Sequence, residues 1–116
     1  LFAATLSGGF RHRYPLLIPW GGALSGFLTA SNAGANAMFM QFQASAAQTL
    51  SLPLDLAAAA QNAGAANATL ASPGRIALAA AVTGCAGQEH RLLRPALLVV
   101  LGGTAAMTLV LAWMAA

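Results

Sequence analysis

Charge is what this chain has least of. Five arginines and two carboxylates make up 6% of its 116 residues, against about one-quarter in an ordinary soluble domain. No charged side chain occurs between Arg13 and Asp55, between Asp55 and Arg75, between Arg75 and Glu89, or after Arg94. Long charge-free stretches with charges at their edges are what hydrocarbon demands, because a charge in the bilayer core is costly. The net charge of +3 and pI near 10.6 do not point to nucleic acid. The five arginines fall at three sites, form no basic stripe and have few aromatics beside them.

Other scarcities exclude other classes. Cys85 stands alone, so neither a disulfide framework nor a cysteine metal site is available, and it reads as a small packing residue. No Asp, Glu or His falls in the middle of an apolar segment. His12 and His90 lie in polar edges and read as surface histidines rather than proton relays, although histidine titrates in the useful range. Ser31 and Ser72 have no histidine or carboxylate within helical reach, and no glycine-rich phosphate loop occurs. The nucleophile with its base, or the metal cluster, that an enzyme needs is therefore missing. The first ten residues lack the basic n-region and small-residue cleavage site of a secretory signal.

What is present is apolar. Hydrophobic residues supply 59% of the chain and the mean hydropathy is +0.72, which places it in lipid. The chain opens at Leu1 and runs directly into apolar residues, so we expect the C-terminal fragment of one longer polytopic transport domain over 1–116, with 1–10 the tail of an earlier helix. Segment 95–116 fits a single terminal transmembrane helix. It opens with Pro95, carries a small-residue face at Gly102, Gly103, Ala105 and Ala106, and places Trp113 near its end. Segment 14–50 is too long for one crossing and has a polar midpoint, so it folds back as a re-entrant or fully transmembrane helical hairpin. Each arm reaches about 20–25 Å at 1.5 Å per residue. Glycines 21, 22, 26 and 34 permit close backbone approach. Segment 54–84 begins with Asp55 as a helix-start residue, and Ala63-Gly64-Ala65-Ala66-Asn67 followed by Ser72-Pro73-Gly74 interrupts it. Residues 84–94 read as an aqueous loop. The expected fold is all-α and integral to the membrane.

Two polar clusters inside this apolar chain carry the functional reading, one at Thr29-Ala30-Ser31-Asn32-Ala33-Gly34-Ala35-Asn36 and one from Gln61-Asn62 to Ser72-Pro73-Gly74. On helical spacing Asn32, Asn36 and Gln43 share one face, and Thr29 and Ser31 add hydroxyls at the tip. Amide N–H groups bind a carboxylate, and amide and backbone oxygens take a cation. The candidate substrate-binding residues are Thr29, Ser31, Asn32, Asn36, Asn62, Asn67, Ser72 and Arg75, meeting where the tip at 29–36 faces the break at 64–75. Two readings of the amides stand side by side: ligand contacts, or polar glue between helices. For Gln43 glue is the stronger one. Arg75, the one charge well inside an apolar region, either meets substrate or caps the half-helix and reaches water.

The order and spacing of Gly26-Phe27-Leu28-Thr29-Ala30-Ser31-Asn32-Ala33-Gly34-Ala35-Asn36-Ala37-Met38-Phe39, of 56–64 leading to Ser72-Pro73 and Ile76, of Ala80-Ala81-Val82-Thr83-Gly84 with Gly87-Gln88-Glu89, and of Leu111-Ala112-Trp113-Met114 resemble the lactate permease family. They look like the C-terminal repeat of ion-transporter-superfamily carriers, over essentially 14–116. The resemblance implies a multi-pass carrier of the bacterial inner membrane that imports L-lactate, and commonly D-lactate or glycolate, with protons. It also implies a missing N-terminal repeat that completes the site and supplies the coupling group. Two departures stand out. Family members usually carry a lysine where Thr69 stands, with Arg75 just beyond, and the Ser-Asn-Thr motif of related carriers is here Ser31-Asn32-Ala33. The alternatives are a sodium-coupled carrier of another small organic anion and a non-transporting membrane subunit. No cofactor is expected.

Overall fold

The computed structural model describes the backbone of residues 2–115 and the side chains of residues 9–114. It is all-helical across the described residues. Five α-helices follow in order: α1 Phe2–Thr29, α2 Asn32–Thr49, α3 Leu54–Ala68, α4 Pro73–Val82 and α5 Glu89–Ala115, with a 3-10 turn over Thr69–Ala71 between α3 and α4.

Two boundaries differ from the sequence expectation. The helix does not begin at 14. α1 runs unbroken for 28 residues, taking the Arg11–Arg13 edge and both Pro15 and Pro19 into its interior. The two prolines are four apart and so share one face, where each removes one ladder bond. Pro19 is fully buried, with its carbonyl pressed toward Gly64 of α3. Likewise the last helix does not wait for Pro95. α5 starts at Glu89, so 89–94 belong to the helix rather than to an aqueous loop, and Pro95 lies inside it. The Glu89 carboxylate sits at the positive end of the helix dipole and accepts the Gly87 N–H at 3.0 Å, which starts the helix early.

The connections are tight. Between α1 and α2 only Ala30 and Ser31 intervene. Ala30 adopts the left-handed region at φ 56° and donates its N–H to the Gly26 carbonyl, while Ser31 caps α2 through its hydroxyl, which accepts the Gly34 N–H at 3.1 Å. After the 3-10 turn, Ser72 is extended and Pro73 opens α4, where a missing N–H costs nothing.

Packing centres on α1 against α3. A Cβ on Gly22 would meet the Gln61 carbonyl, one on Gly26 the Ala65 carbonyl, and one on Gly64 the Pro19 carbonyl. The two backbones therefore touch, the geometry that small residues four apart allow. α2 lies against both helices, and α5 packs on α1 and α3. α4 packs on α5 and on the 3-10 turn. The core is built mostly from alanine and polar side chains, with Tyr14, Ile18, Ile76, Val100 and Leu111 as its larger members: Ala35, Ala47, Ala57, Ala65, Ala68, Ala71 and Ala80 are buried, and the largest fully buried side chains are Gln61, Thr104, Pro19, Ser25 and Ser72. Most of the large apolar groups face outward, among them Leu24, Leu28, Phe42, Leu78, Val82, Leu98, Leu109 and Trp113. This inverts the ordinary soluble arrangement. Among the described residues α5 is the one helix long and apolar enough to cross a membrane by length and composition, with mean hydropathy 2.1 over its apolar window.

Replacing Gly26 by valine in the full-length protein should force α1 off α3 and cost at least about 2 kcal/mol, seen as a lower thermal unfolding temperature in detergent. Gly102→Ala, where an added Cβ meets nothing within 4 Å, should leave it unchanged. Equal behaviour of the two variants would contradict the close contact.

Candidate functional site

Two layers of amides occupy the seam between α2 and α3. The inner layer is buried. Tyr14 donates its hydroxyl to Gln43 Oε1 at 2.6 Å, Gln43 Nε2 donates to Gln61 Oε1 at 3.0 Å, Gln61 Nε2 donates to Ser25 Oγ at 3.2 Å, and Ser25 Oγ donates to the Gly22 carbonyl at 2.8 Å. This chain of bonds ties α1, α2 and α3 together. Gln43 is thus part of a helix-joining network. Tyr14, Ser25 and Gln61 were not among the sequence candidates, and the signal for Gln61 was its place between Ala57 and Ala65 on a stripe of small residues.

The outer layer lies at the tip. Asn32 Nδ2 and Asn36 Nδ2 both donate to Asn62 Oδ1, at 2.9 and 2.7 Å, and Asn36 Nδ2 also reaches Asn32 Oδ1 at 3.4 Å. Asn62 is exposed and the other two are half-buried, so the cluster has an open side. Asn36 Oδ1 is buried and accepts no hydrogen bond among the described residues. Arg75 adjoins the tip through a hydrogen bond from its Nε to the Ala30 carbonyl at 3.2 Å. Its stem lines an apolar groove of about 480 Å³ with Leu70, Ile76, Ala79, Leu92, Pro95, Ala96 and Val99. The hairpin tip and the start of α4 are therefore joined at Ala30 and Arg75.

The remaining candidates stand apart from the amide cluster. Thr29 Oγ1 shares its proton between the Ser25 carbonyl at 2.8 Å and the Ser31 carbonyl at 2.9 Å, closing the α1–α2 turn. Ser31 is spent on the cap of α2. Asn67, five residues beyond Asn62 and so about 140° around α3, donates to the Val100 carbonyl at 2.9 Å and to Thr104 Oγ1 at 3.2 Å, tying α3 to α5. Ser72 is fully buried and donates to the Thr69 carbonyl at 3.0 Å. Thr69 is buried and donates to the Ala66 carbonyl. Of the eight candidates, Asn32, Asn36 and Asn62 form one cluster, and Arg75 meets the same hairpin at the Ala30 carbonyl.

A family model described as L-lactate permease matches residues 1–116. This chain belongs to the L-lactate permease family. Among curated proteins it is 37% identical over 91 residues to the glycolate permease of Escherichia coli strain K12, covering 78% of this chain and 16% of that protein. It is 37% identical over 83 residues to the L-lactate permease of the same strain, covering 72% and 15%. To the L-lactate permease of Salmonella typhi it is 35% identical over 95 residues, covering 79% and 17%. The chain thus spans about a sixth of the length of these relatives. No solved structure matches it. Membership in a permease family accounts for the apolar exterior, as this is a membrane protein.

Within this member of the L-lactate permease family the two amide layers should separate by experiment. Gln61→Leu leaves the Gln43 Nε2 donor without its acceptor in the interior, takes away the donor to Ser25 Oγ, and should cost about 1–3 kcal/mol. Asn62→Ala opens only an exposed contact and should cost less than about 0.5 kcal/mol. Thermal unfolding of the full-length carrier in detergent checks both, and the reverse order would reject the assignment of layers.

Proposed function

We propose that the protein carrying this chain is a secondary active transporter that imports L-lactate and related small 2-hydroxy monocarboxylates, D-lactate and glycolate, together with protons. It works as a multi-pass protein of the bacterial inner membrane. The observation that carries the reading is the amide cluster of Asn32, Asn36 and Asn62 with the Arg75 guanidinium beside the same tip. In this reading the α1–α2 hairpin brings the amides to membrane depth, the interruption after α3 presents Arg75, and α5 is the terminal span.

Arg75 receives the substrate carboxylate. Only its Nε is engaged by the protein among the described residues, which leaves both terminal nitrogens for the planar, two-pronged contact that a carboxylate accepts. The Asn62 amide nitrogen donates in no hydrogen bond among the described residues and supplies a further donor. Thr29, Ser31, Asn67 and Ser72 support the site from behind by holding the turn, the cap and the α3–α5 contact. The opposite wall and the proton-coupling group come from the rest of the longer protein, in a second repeat facing this one. Among the described residues no acid or histidine hydrogen-bonds to the cluster to serve as that group.

Uptake of labelled L-lactate by the full-length protein, in cells lacking their own lactate carriers, tests the proposal. Uptake should be saturable, abolished by a proton uncoupler and indifferent to sodium removal. Loss on sodium removal would establish the sodium-coupled alternative, and no uptake from protein shown to be in the membrane would reject lactate. Arg75→Gln should raise the lactate KM about tenfold, as expected for loss of a charge-assisted contact, while lowering the amount of protein in the membrane far less. An unchanged KM would end the carboxylate role.

A further inference from the structure

The amide cluster has one unmet requirement. Asn62 Oδ1 is saturated by two donors, Asn36 Nδ2 is committed to Asn62 and Asn32, and Asn36 Oδ1 is buried with no donor among the described residues. A buried acceptor without a partner carries a desolvation cost that a ligand donor removes. An ionised carboxylate cannot provide it, because it only accepts. A hydroxyl can.

We infer that Asn36 determines specificity by accepting, at Oδ1, the proton of the substrate's 2-hydroxyl group. This rests on the reading of the protein as a carrier of 2-hydroxy monocarboxylates and adds the residue that tells them from plain monocarboxylates of the same size. The carboxylate goes to the donors, Arg75 and the Asn62 amide nitrogen, and the hydroxyl goes to Asn36 Oδ1, the acceptor of the cluster that has no donor among the described residues. A substrate lacking the hydroxyl leaves Asn36 Oδ1 buried and empty, and a site built to bond a hydroxyl discriminates strongly against such an analogue. Asn32, by contrast, shares the cluster without presenting a free buried acceptor, since its Oδ1 already receives Asn36 Nδ2.

Competition against labelled L-lactate uptake by the full-length carrier tests the assignment. In the unsubstituted protein, 2-fluoropropionate, close in size to lactate but with no hydroxyl proton, and propionate should each compete at least about tenfold more weakly than unlabelled lactate, an effect of the size a lost bond to a buried acceptor gives. In Asn36→Ala that preference should collapse to within about twofold through a loss of lactate affinity. Asn36→Asp, which keeps an acceptor at the position, should retain the preference even as the added charge weakens all anions. Asn32→Ala should weaken lactate and propionate alike. Equal competition by 2-fluoropropionate and lactate in the unsubstituted carrier, or a preference that survives in Asn36→Ala, would overturn the inference while leaving hydroxy-acid transport standing. Absence of lactate and glycolate uptake in the unsubstituted carrier would overturn the transport reading, and the inference with it.

Discussion

Everything in this chain is arranged around the contact of α1 with α3. Gly22 and Gly26 on one helix and Gly64 on the other remove the side chains that would hold the backbones apart, so that the carbonyls of Gln61, Ala65 and Pro19 sit where Cβ atoms would otherwise be. In lipid there is no hydrophobic gain from burying one apolar helix against another, because the surrounding tails are as apolar as leucine. Close packing and interhelical hydrogen bonds must supply the association instead. The alanine-rich interior and the outward-facing leucines, valines and Trp113 follow from the same rule. Bulk belongs where it meets lipid, and small residues belong where backbones meet.

That contact also explains why polar amides are safe inside. With α1 and α3 so close, Gln61 lies within reach of Ser25 on α1 and Gln43 on α2, and each of these groups finds a partner. A hydrogen bond of this kind contributes only about 1 kcal/mol, yet a missing one costs more. The network therefore fixes register more than it adds stability. One residue further along α3, Asn62 points to the adjacent layer, where Asn32 and Asn36 converge on it. The buried layer sets the rotation of α2 and α3, and that rotation aims the exposed layer.

The helical class, the apolar last segment and the family were legible in the sequence, because they rest on composition, on charge spacing and on motifs in a fixed order. The starts of α1 and α5 were not. Pro15, Pro19 and Pro95 are local stop signals, and tertiary contacts such as that of Pro19 with Gly64 override them. The pairing of Asn32 and Asn36 with each other is a spacing argument that sequence carries well. Their meeting with Asn62 depends on the turn at Ser51 and Pro53 and on helix rotation, which no local pattern reports. Asn67 shows the limit most clearly. It reads like Asn62 in sequence, yet it turns to the Val100 carbonyl and Thr104 because five residues along a helix is most of half a turn away.

The tip itself is under tension of a useful kind. Ala30 holds a left-handed conformation that glycine would adopt at lower cost, and its carbonyl is the acceptor for Arg75. Such strain persists only where surrounding contacts over-determine the backbone. Here the Ala30 N–H is fixed to the Gly26 carbonyl, Ser31 caps α2, and Thr29 closes the turn from the other side. The glycine at 26 that lets α1 touch α3 is thus also the acceptor that anchors the strained residue. The helix contact, the shape of the tip and the place of the guanidinium are one constraint expressed at three scales, and a substitution at Gly26 reaches Arg75 without touching it.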